Sequence, residues 1–69
     1  MKYYIIYWSR NNFKNLPEFL SIYSSEESND FVSDIKNAKS FNSYEEAKEK
    51  RLNLMEEYFR ITFYILIGE

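Results

Sequence analysis

The stretch YYIIYW, Tyr3–Trp8, puts six large residues in a row with no polar position between them. β-Branched and aromatic residues without a breaker specify a strand, predicted over Lys2–Ser9. A strand with one wet face alternates apolar with polar residues. A strand apolar on both faces belongs in the middle of a sheet. Side chains alternate along a strand, so Tyr3, Ile5 and Tyr7 share one side. Tyr4, Ile6, Trp8 and then Arg10 share the other. Both sides need a cover, and the rest of the chain decides how many covers this protein can supply.

One cover is a helix. Ser43 stands three residues before Glu46, the spacing of a capping box, and Glu45, Glu46 and Glu49 favour the positive end of a helix dipole. From Asn42 to Glu57 there is no Gly or Pro. At about 100° per residue, Tyr44, Ala47, Leu54, Met55 and Tyr58 fall on one face. Ala47 is small enough to let that face approach a sheet closely. Next, FRITFYILI, Phe59–Ile67, alternates strictly and predicts the last strand. Phe59, Ile61, Phe63, Ile65 and Ile67 form its apolar side, and Arg60, Thr62, Tyr64 and Leu66 the other.

The middle of the chain is less regular. Arg10–Pro17 reads as a connection with a turn at Asn11–Asn12. Phe19–Ser24 reads as a second strand and Ser25–Asp30 as a polar loop. Phe31, Val32, Ile35, Ala38 and Phe41 recur at helical spacing, but Asn37, Ser40 and Asn42 break the pattern. A helical turn and a short strand both stay open there. The order β-β-[short segment]-α-β predicts one α+β domain over 1–69, with one helix on a small, mainly antiparallel sheet. A single helix covers one face. The second face is bare unless segment 25–41 folds across it.

Composition narrows the chemistry. The chain has 69 residues, no Cys and no His. Disulfides, Cys-ligated zinc, thiolate and His-dependent nucleophiles, and a His general base are therefore excluded. Gly68 is the single glycine, so no Gly-rich phosphate loop is present. Carboxylates are plentiful, at Glu26, Glu27, Asp30, Asp34, Glu45, Glu46, Glu49, Glu56 and Glu57, but lack the spacing of a calcium loop. They read as a solvated surface or as an acidic face that competes for a basic nucleic-acid channel. No run reaches the ~18 apolar residues of a membrane span. The first ten residues lack a small-residue cleavage site, so they read as a strand rather than a signal peptide. A cytoplasmic protein without cofactor or metal, acting by binding and not by catalysis, is the expectation.

The stretch DIKNAKSFNSYEEA, Asp34–Ala47, resembles a loose class of small phage and mobile-element accessory proteins. The residues that carry the resemblance are Asp34, Ile35, Ala38, Lys39, Phe41, Ser43, Glu45, Glu46 and Ala47, followed by a helix and a final strand. The resemblance implies a setting in which such proteins inhibit host defences, anti-CRISPR proteins among them. It implies a host protein partner, such as a nucleic-acid-guided nuclease, in the host cytoplasm.

The residues placed for binding are Tyr4, Ile6, Trp8 and Arg10 on the first strand and Arg60 and Tyr64 on the last. Arg51 joins them, because it falls within the apolar stripe of the helix. Trp, Tyr and Arg dominate binding hot spots. Such a face serves a foreign protein or a second copy of this chain. The alternative is a single-stranded nucleic-acid-binding module, with bases stacked on Tyr4 and Trp8 and phosphates met by Lys2, Arg10 and Arg60. The net charge of −2 weighs against it. A purely structural oligomer subunit is the third reading.

Overall fold

The computed structural model describes residues 1–8, 17–25 and 27–68. Among these residues one helix packs on an antiparallel sheet, as the sequence predicts, and the open segment supplies a fourth strand to it. The strands are β1 (Lys2–Trp8), β2 (Pro17–Leu20), β3 (Phe31–Val32) and β4 (Tyr64–Gly68), in spatial order β3-β2-β1-β4. The strand that is apolar on both faces is indeed a central one. Arg10, the Asn11–Asn12 turn and Glu26 lie outside the described residues.

The helix α1 (Tyr44–Glu57) starts where the cap residue stands: the Ser43 side chain accepts from the Glu46 amide at 3.2 Å. It lies across β1 and β4. Ala47 and Leu54 are fully buried with Ile5, Leu20 and Phe63, and Phe41 closes the core. Tyr3, Tyr7, Phe31, Met55, Tyr58, Ile61 and Ile65 pack around them. Small Ala47 gives the close approach expected of it. Tyr7, Phe31, Tyr58 and Phe63 form a cluster of rings with centroids 5.1–6.2 Å apart. Edge-to-face and offset contacts of this kind add to the burial of the rings.

Segment 25–41 contains both structures that its sequence left open. β3 is a short strand, and Ile35–Asn37 is a single 3-10 turn. Asp34 caps that turn, accepting from the Lys36 amide at 2.8 Å and from Asn37 Nδ2 at 2.9 Å. The segment runs along the sheet and not over it. The Ser21 amide donates to the Asp30 carbonyl at 2.8 Å, and the Lys39 amide to the Leu20 carbonyl at 2.7 Å. Phe41 then exchanges both backbone bonds with Tyr3. Its ring turns into the core on the helix side.

Two strands are shorter than their sequence patterns. β2 ends at Leu20, because Ser21–Ser24 turn: the Ser24 amide donates to the Ser21 carbonyl. β4 begins at Tyr64, not Phe59. The helix is capped by the Tyr58 amide donating to the Leu54 carbonyl, and the Ile61 amide donates to the Tyr58 carbonyl. Reversing direction after the helix consumes residues 58–61, so the apolar alternation of Phe59 and Ile61 is spent in a turn. Phe59 is left 78% exposed. No helix among the described residues is long and apolar enough to cross a membrane.

Candidate aromatic sheet face

Cross-strand partners share a face. The registers Tyr4↔Leu66, Ile6↔Tyr64, Ile6↔Phe19, Trp8↔Pro17 and Phe19↔Val32 therefore assemble one surface on the side away from the helix. Ile6 sits at its centre, only 6% exposed. Trp8, Tyr64 and Leu66 are 47%, 50% and 38% exposed. The Trp8 and Tyr64 rings meet edge to face at 5.7 Å. The Tyr4 ring lies against Gly68, where an added Cβ would stand 3.0 Å from Tyr4 Cε2. Tyr4 so covers the backbone that the glycine leaves bare.

Of the residues placed for binding by sequence, Tyr4, Ile6, Trp8 and Tyr64 come together on this face. Arg51 and Arg60 do not. Arg51 is on the helix side, and its Nε donates to the Phe63 carbonyl at 2.7 Å. That bond ties the middle of α1 to the approach of β4, and the guanidinium is held without burying an unpaired charge. Arg60 corrects the strand assignment: it lies in the turn after the helix, its guanidinium 5.5 Å from the Phe59 ring centroid. Thr62, on the same predicted side, also precedes the strand. With Arg60 elsewhere, Lys2 is the one basic residue of the described strands on this face.

Phe19 and Val32 belong to the face although the sequence did not place them there. Phe19 shows the right residue type, but its side depends on the register of β2 with β1. Ile22 and Tyr23, which continue the apolar run, stand in the turn, 49% and 72% exposed.

The chemistry of the surface is apolar and aromatic. Among the described residues no group of three or more carboxylates is placed to hold a metal ion. Every buried side-chain polar atom among them has a hydrogen-bond partner. The one clearly displaced titration among the described residues lies on the helix side: Tyr7 is pushed up to about 12, first by burial and then by its hydroxyl's bond to the Glu18 carboxylate. No protein-family model, curated protein or solved structure matches this chain.

Proposed function

We propose that this chain acts by binding another protein through the face of Tyr4, Ile6, Trp8, Phe19, Tyr64 and Leu66. The observation that carries it is the half-exposed Trp8–Tyr64 pair beside Leu66, on a sheet face with no helix over it among the described residues. Strand spacings of ~4.8 Å and a rise of ~3.3 Å per residue make the face roughly 300 Å². That is the size of the largest apolar patch on a typical monomer, which is often functional. In the setting implied by the resemblance at Asp34–Ala47, the partner is a host defence protein, such as a nucleic-acid-guided nuclease, and binding inhibits it. The aromatic side chains would supply the anchors, and the polar rim the fit.

A stacking surface for single-stranded nucleic acid has the same rings but needs cations to track phosphates. Lys2 alone on the described strands, in a chain of net charge −2, is a poor match. The test is the double variant Trp8→Ala/Tyr64→Ala. Both side chains are about half exposed, so the fold should persist by circular dichroism. Affinity for a defence nuclease captured by the wild type should fall at least about thirtyfold, since anchors of this type are worth about 2 kcal/mol or more. A folded double variant that still captures and inhibits the nuclease would remove the face from the interface. Quenching of Trp8 fluorescence by a single-stranded oligonucleotide would overturn the protein reading in favour of the stacking one.

A further inference from the structure

The two edges of the sheet are built differently. The β3 edge is two residues long, flanked by Asp30, Ser33 and Asp34 and followed by a 3-10 turn. Short strands and charged flanks are the usual protection of an edge. The β4 edge has none of this: YILIG, Tyr64–Gly68, carries no Lys, no Pro and no charge.

Its unpaired backbone groups can be assigned. Tyr3 exchanges both of its bonds with Phe41, on the β2 side of β1. Bonding direction alternates along an antiparallel strand. Lys2, Tyr4 and Ile6 therefore bond towards β4, and their partners Gly68, Leu66 and Tyr64 bond inward. Ile65 and Ile67 are left with N–H and C=O directed out of an edge that no described residue pairs with. The edge is apolar on both sides as well. Tyr64 and Leu66 flank it on the open face. Ile67, opposite Tyr3 on the helix side, is 58% exposed. Tyr44, whose ring meets Tyr3 edge to face, is 47% exposed, and Leu52 is 50% exposed. Lys50 and Glu57 bond Asn29 on the β3 side of the helix, so Tyr44 and Leu52 belong to its other flank.

We propose that two copies of this chain pair antiparallel along β4, in a register centred on Leu66. In that register Leu66 meets its own copy on the twofold axis, and Ile65 of each copy faces Ile67 of the other. All four outward backbone groups of each edge find partners, and parity keeps like faces together. The strand is thus self-complementary, which a twofold interface requires. Two open faces then merge into one eight-stranded surface. At roughly 200 Å² per fully exposed large side chain, the exposed parts of Tyr44, Leu52, Tyr64, Leu66 and Ile67 amount to about 500 Å² per copy. Stable interfaces bury about 800 Å² per partner, so this dimer is reversible and dependent on concentration. Tyr64 and Leu66 border both this edge and the partner-binding face, whereas Ile67 lies on the helix side, so a change at Ile67 tests edge pairing without touching that face.

Sedimentation over about 1 µM to 1 mM, a range that brackets weak association, reads the outcome. The mass should rise from 8.5 kDa towards twice that value. Amide exchange at Ile65 and Ile67 should slow as it does. Ile67→Pro removes an N–H that bonds nothing among the described residues of one copy, so the fold should hold and dimerisation should weaken more than tenfold. Ile67→Lys, at an exposed site, should do the same if the proline variant does not fold. A wild type that stays at 8.5 kDa throughout overturns the proposal, as does a folded Ile67→Pro or Ile67→Lys chain that still dimerises.

Discussion

At the scale of the residue, Tyr7 is where two environments act in the same direction. Its ring packs against Phe31 and Phe63, and its hydroxyl donates to the Glu18 carboxylate, so the neutral phenol is the form that the fold favours. Its pKa rises from 10.0 to about 12. The unfolded chain would release this proton near pH 10 and the folded chain only near 12. The stability it adds is complete below pH 10 and is lost as pH climbs through 12. Tyr7→Phe should cost about 1 kcal/mol at neutral pH. Its deficit against the wild type should narrow between pH 10 and 12, as read by urea unfolding at pH 7 and pH 11.5. Arg51 teaches a related lesson. Its place in the apolar stripe was legible in the sequence. Its partner was not, because a backbone carbonyl twelve residues away leaves no trace in residue type.

At the scale of the element, the helix was the most legible part of the chain. Ser43 and Glu46 marked its start, and Ala47 and Leu54 its buried face, because capping and periodicity are local. Ser43→Ala should destabilise the fold by about 1 kcal/mol, and Ser43→Asp should restore most of it. Thermal unfolding of the three proteins checks this. The strands were less legible at their ends. FRITFYILI alternates over nine residues, yet only its second half pairs. Alternation reports two chemically distinct sides. It does not report whether a neighbouring strand is there to pair with, or whether the chain must first turn back from a helix. Segment 25–41 was ambiguous for a physical reason too: its apolar residues serve a strand, a 3-10 turn and a core contact in succession.

At the scale of the whole molecule, everything depends on a small core. At ~0.05–0.15 kcal/mol per residue, a chain of this length is stable by about 3–10 kcal/mol. Leu54 is fully buried between the helix and the sheet. Leu54→Ala should remove about 2–5 kcal/mol, a large part of that total. Its urea midpoint should fall steeply, and at the lower limit of stability the chain unfolds without denaturant. The sequence by itself determined the α+β class, the capped helix, the central place of YYIIYW and the presence of two apolar sheet faces. Each of these follows from local propensity and from periods of 3.6 and 2 residues. Only the tertiary structure decided which residues share the open face, that 25–41 extends the sheet instead of covering it, and that β4 is a bare edge. Strand order and register are set by pairings between residues far apart in the chain, and no local pattern encodes them.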